Sequence, residues 1–229
     1  MNGFGLFAAL LVGLTRPAAA ADATALRAAL ASELRALPGD ALGLEDSDLL
    51  LSSSITLSVG LTSPGPGERA ATATYVMGTR VITVDSALAR EPDAAAVARR
   101  IAPTLVHELE HARADLRAPG APVALEGEWT AYAAEAAFVR RRLAADPRYL
   151  ERGRRLGRLG DNYAFSAAAG KKGLDGVRRA CERDGLFKGL KPASQLCGGL
   201  RDDERRRCDA SASYYRDRLE QLRAALAAP

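Results

Sequence analysis

Histidine is almost missing from this chain of 229 residues; the only two, His107 and His111, stand four apart. Aromatic residues make up 5% of the sequence and the formal net charge is +4. So small and scattered a positive excess, without interleaved aromatics, argues against a nucleic-acid surface. No apolar run reaches the ~20 residues that a bilayer-spanning helix needs, so no stable membrane anchor is expected. Cysteine is limited to Cys181, Cys197 and Cys208. Their spacing fits no zinc knuckle, and none lies near the histidines in sequence.

What is present is an Ala- and Arg-rich composition, 48% hydrophobic and 26% charged, as in an ordinary globular protein with more helix than sheet. The segment "FGLFAALLVGL" has the length of a signal-peptide apolar core, and "TRPAAAAD" offers small-residue cleavage sites after Ala20 or Ala21. The chain therefore divides into a leader over 1–21, a main domain over 22–148 and a helical C-terminal extension over 149–229. The expected location is secreted or periplasmic. Outside the cytosol, three cysteines in one segment point to one structural disulfide and one remaining thiol. Their pairing is not deducible from spacing.

Hydrophobic periodicity orders the elements. Leu26, Leu30, Leu34 and Leu37 follow a helical period that stops at Pro38-Gly39. "SITLSVGL" alternates through Ile55, Leu57, Val59 and Leu61, as a half-buried strand does. "TSPGPGER" reads as a loop and "TATYVMGTRVITVD" as a hairpin turning near Gly78-Thr79. A helix then runs from an Asp93 N-cap through the two histidines, with a kink or restart expected at Pro103. "EGEWTAYAAEAAFVRRRLAA" forms a second long helix ending at Asp146-Pro147. The fold class is α+β: an N-terminal helix, a small antiparallel sheet, two long helices and a helical tail.

The stretch "HELEH" carries the chemistry. Residues four apart share a helix face, so both imidazoles can reach one cation. Glu108 points roughly a hundred degrees away from His107, too far to join that bite. It is well placed to act as general base on a nearby water, the arrangement of the H-E-x-x-H motif. Chance would place the only two histidines at this spacing, followed by that glutamate, roughly once in two thousand sequences. A catalytic zinc needs a third protein ligand. With no further histidine and no nearby cysteine, the next helix offers Glu126, Glu128 and Glu135. Glu128, Ala131, Tyr132 and Glu135 form one stripe, which favours Glu128, because Ala131 lets the two helices approach closely. Asp115, on the motif helix, suits an outer acceptor. Glu135 is either such an acceptor for a histidine ring or a solvated carboxylate. Trp129 reads as core. Tyr149, Tyr163, Tyr214 and Tyr215 are not distinguishable from ordinary tyrosines.

"HELEH" followed by "EWTAY" resembles the gluzincin metallopeptidases, in which a glutamate on a second helix is the third zinc ligand and is followed by E-x-x-A. Small single-domain members, the minigluzincins, often read Glu-x-x-Ala-Tyr there. The resemblance covers residues 23 to 145 and does not extend to 150–229. It implies a zincin-like fold, zinc held by His107, His111 and Glu128, and Glu108 activating water. It further implies that "RVITVD" is the sheet edge on which an extended peptide adds. The function so expected is that of an exported zinc metallopeptidase acting on protein or peptidoglycan stem peptide. The alternative is a non-catalytic zinc-binding or partner-binding envelope protein on the same scaffold.

Overall fold

The computed structural model describes residues 22–60, 62, 72–88, 91, 93–150, 158–183 and 189–227. The expected leader and most of the Pro/Gly-rich loop lie outside the described residues. Helix α1 (Ala23–Arg35) starts where the Asp22 carboxylate accepts the Thr24 amide, and buries Leu26, Leu30, Ala31 and Leu34. Its Leu period is the one read from the sequence.

Helix α2 (Ala41–Leu51) was not expected. Its buried residues are Gly43, Asp46, Ser47 and Leu50, so its inward stripe carries one large apolar side chain and escapes a hydrophobic-period reading. A Cβ on Gly43 would sit 2.3 Å from the Leu34 carbonyl oxygen. Glycine is therefore what lets α2 fold back onto α1. Arg27 of α1 donates to the carbonyls of Leu50, Ser52 and Ile55 at 2.7, 2.6 and 3.0 Å. It thereby satisfies acceptors that the end of α2 leaves open.

Strands β1 (Thr56–Gly60), β2 (Ala73–Val76) and β3 (Val81–Asp85) form a sheet in the order β1-β3-β2. The hairpin is as expected: β2 and β3 pair antiparallel, with Gly78 and Arg80 at positive φ in the turn. The wholly antiparallel sheet is not. β1 pairs parallel to β3, with Leu57 opposite Ile82 and Val59 opposite Val84. Alternation determines which face a strand buries, and it reads the same in either chain direction. The pattern of β1 therefore carried no information on pairing sense. A second correction follows, because β3, the segment "RVITVD", lies in the middle of the sheet and not at its edge. The strand with a free side towards the histidine helix is β2.

Helix α3 (Ala94–Arg117) begins with Asp93 accepting the Ala95 and Ala96 amides and runs uninterrupted through Pro103; the expected restart near Thr104 does not occur. Pro103 has no amide to offer the Arg99 carbonyl one turn back. The Tyr149 hydroxyl donates to that carbonyl instead, at 3.2 Å. Helix α4 (Leu125–Ala145) packs along α3, and its Ala131, Ala133, Ala134, Ala136 and Ala137 are all buried between its several neighbours. Small side chains let neighbouring helices approach the α4 axis closely.

The C-terminal part adds α5 (Arg158–Gly170), α6 (Gly173–Arg183), α7 (Ala193–Cys197) and α8 (Asp202–Ala227). Leu219, Leu222 and Leu226 of α8 join the same hydrophobic cluster as Leu26, Ile101, Leu105 and Phe138. A disulfide links Cys197 to Cys208, tying α7 to α8, and Cys181 lies buried outside it. The pairing left open by the sequence is thus between the two later cysteines. Among the described residues, no helix is long and apolar enough to cross a membrane.

Candidate metal centre

The two histidines sit where α3 passes α4. Leu105, Val106 and Leu109 bury the other side of α3, which leaves the His107 and His111 rings turned towards α4. Their Nε2 atoms are 3.2 Å apart. Glu128, in the first turn of α4, brings Oε2 to 3.6 Å from His107 Nε2 and Oε1 to 3.5 Å from His111 Nε2. Two ligands on a tetrahedral ion with bonds near 2.1 Å are separated by about 3.4 Å. These side chains form a group that could hold a metal ion, with one donor atom from each within 4.8 Å of the others. A donor set of two imidazoles and one carboxylate suits a borderline cation and leaves a coordination position free.

The other carboxylates offered by α4 go elsewhere. Glu126 accepts the Ala193 amide at 2.9 Å, holding the start of α7. Glu135 is buried and accepts the Ser166 hydroxyl at 2.5 Å, so it is not a solvated carboxylate. Its Oε2 stands 3.9 Å from His107 Nδ1, a buried atom without a hydrogen-bond partner among the described residues. Burial raises the Glu135 carboxyl to about 7 against the pull of the Ser166 hydrogen bond. Desolvation, followed by the neighbouring His111, holds His107 well below its ordinary range. A neutral imidazole is the form that ligates a cation.

Glu108 is not one of these donors. Its Oε2 accepts the Tyr75 amide of β2 at 2.8 Å. Burial raises its carboxyl to about 8, opposed by the Tyr75 hydrogen bond and reinforced by the charges of Glu128 and Glu135. Asp115, expected as an outer acceptor near the histidines, takes the Tyr75 hydroxyl at 2.6 Å and the Gly78 amide at 2.7 Å. It binds the hairpin.

The structure also places residues the sequence could not. The Tyr132 ring meets the His107 ring edge-on at 4.5 Å between centroids. Tyr215 packs on Gly127, where a Cβ would come within 2.9 Å of its hydroxyl oxygen. Tyr163 pairs with Thr104, and Tyr214 donates to Glu110. Trp129 stacks against Arg178, whose guanidinium carbon lies 4.7 Å from the ring centroid.

Beneath the site, Glu110 is buried and holds Arg218 of α8 at 2.7 Å and Arg113 at 2.8 Å. Arg113 in turn reaches Asp46 of α2 at 2.6 Å. Burial alone would raise Glu110, but Arg113 and Arg218 outweigh it and hold the carboxyl below its usual range. In sequence these are scattered charges, and only their encounter across three helices makes them a network.

Compared with known protein families, with characterised proteins and with solved structures, the chain matches none. Any functional reading therefore rests on the chemistry of the site itself.

Proposed function

We propose that this protein is an exported zinc metallopeptidase with a zincin-like fold, hydrolysing peptide bonds in protein or peptidoglycan stem peptide. The observation that carries the reading is the convergence of His107, His111 and Glu128 at tetrahedral-edge distances, with a further carboxylate, Glu108, next to His107 in the chain and outside the donor set. Zinc held there would supply a Lewis acid that polarises the scissile carbonyl and makes water a better nucleophile. Glu108 accepts a proton from the attacking water and delivers it to the leaving amine. Glu135 faces His107 Nδ1 and biases that ring to present its other nitrogen towards Glu128. Ala131, buried one turn after Glu128, leaves the room for the two helices to approach and for Glu128 to reach both imidazoles.

Zinc stoichiometry and hydrolysis of a denatured protein, measured on one preparation of the mature chain, test the proposal. One zinc per chain together with turnover supports it. Absence of stoichiometric zinc overturns it, and zinc without turnover on protein or stem peptide favours a non-catalytic zinc-binding domain.

A further inference from the structure

Glu108 and Asp115 lie seven positions apart on α3, which is two turns and hence the same face. Both carboxylates are engaged by one residue of β2. Tyr75 gives its amide to Glu108 at 2.8 Å and its hydroxyl to Asp115 at 2.6 Å. It thereby spans the two turns as a strut between strand and helix. The same Asp115 oxygen, Oδ2, also accepts the Gly78 amide at 2.7 Å, in the turn that reverses β2 into β3. Tyr75 and Asp115 are both buried, at 7% and 4% exposure, so water does not compete strongly for these bonds. The amide that meets Glu108 lies on the side of β2 away from β3: the Asp85 amide donates to the Thr72 carbonyl at 3.0 Å, and the alternation of bonded pairs then gives the ladder bonds to Thr74 and Val76 and not to Tyr75.

We propose that Asp115 is a positioning residue for Glu108, acting through Tyr75 and the β2–β3 turn. The inference rests on the reading of Glu108 as the general base. A carboxylate on a flexible side chain abstracts a proton efficiently only when held in reach of it. The Tyr75 amide supplies that hold, and an amide at a sheet edge is only as fixed as its strand. Asp115 fixes the strand at two points, one on the Tyr75 side chain and one in the turn. The arrangement separates orientation of the base from the metal ligands, which receive no hydrogen bond from β2 among the described contacts.

The test uses the mature, zinc-loaded chain and the variants Tyr75→Phe, Asp115→Ala, Asp115→Asn and Glu108→Ala. Three quantities are read: zinc per chain, kcat and KM on a fluorogenic peptide selected from a random library, and hydrogen exchange of the amides of residues 75 and 78. Tyr75→Phe and Asp115→Ala should keep one zinc and a KM near the parent's. Their kcat should fall roughly ten- to a hundredfold, and exchange at residue 75 should speed up by about tenfold or more. Asp115→Asn should recover most of both, because a single carbonyl oxygen can accept the hydroxyl and the amide that Oδ2 now accepts. Faster exchange at residue 78 alone, with residue 75 and kcat unchanged, would mean that Asp115 only holds the turn, and would overturn the inference. So would faster exchange at residue 75 with kcat intact. A parent that binds zinc but cleaves no peptide defeats the peptidase reading separately. The exchange data still decide the coupling in that case: residue 75 must lose protection in Glu108→Ala and in Asp115→Ala alike, and retention in either one overturns it.

Discussion

Glu126 and Glu128 leave the first turns of α4 on opposite sides. Glu128 sets its two oxygens 3.6 and 3.5 Å from the Nε2 atoms of His107 and His111, whereas Glu126 takes the Ala193 amide at 2.9 Å. Residues two positions apart on a helix differ by about 200° of rotation, so one carboxylate facing α3 obliges the other to face α7. Substituting Glu128→Ala should abolish stoichiometric zinc, as should His111→Ala. Glu126→Ala should retain the metal and loosen only the α4–α7 junction. Metal analysis after gel filtration checks this, and a zinc-free Glu126→Ala variant would contradict the donor assignment.

Glu108→Gln keeps the size and helix preference of the side chain and removes the capacity to take a proton. Because Glu108 stands outside the donor set, the variant should bind zinc nearly as well as the parent. Peptide hydrolysis should fall by roughly a hundredfold or more. Turnover at the parent's rate would show that the base lies elsewhere.

The buried Glu110–Arg218 pair joins α3 to α8. Truncating Arg218→Ala leaves the Glu110 carboxylate buried with one of its two cationic partners gone, and should destabilise the fold by about 3–5 kcal/mol. The midpoint of urea unfolding reads the loss. A change of less than about 1 kcal/mol would show that Arg113 and Tyr214 satisfy the Glu110 carboxylate without Arg218.

The disulfide between Cys197 and Cys208 closes a sequence separation of 11 residues. Replacing both with serine should cost roughly 2–3 kcal/mol by the loop-entropy argument, with the change centred on α7 and the start of α8. Mass spectrometry of non-reduced, alkylated protein should find a single labelled thiol, on Cys181, and only after unfolding, because that residue is buried.

Protein recovered from the periplasm or the medium should begin at Ala21 or Asp22. Either end retains Asp22, whose carboxylate starts α1 by accepting the Thr24 amide. N-terminal sequencing decides, and an intact Met1 on cytosolic protein would remove the export reading.

Local rules account for what could be read from the chain alone. The helix of His107 and His111, its Asp93 cap, the Leu period of α1 and the β2–β3 hairpin all depend on neighbours within a few residues. Two imidazoles at i and i+4 converge whatever else the protein does, because the helix itself aligns them. What needed the tertiary structure was every partner far along the chain. The stripe on α4 already favoured Glu128, but the partner of Glu126, the Ala193 amide, depends on how α4 is rotated against α7. The parallel pairing of β1 depends on which strand its alternating face meets, not on the alternation. Helix α2 was hidden because its inward side is Gly43, Asp46 and Ser47, accepted in the core only because Leu34, Arg113 and Ala31 meet them there. Asp115 and Tyr75, forty positions apart, carry no mark of each other in sequence. A buried polar group is stable only with its partner in place, and a partner that distant is found by folding.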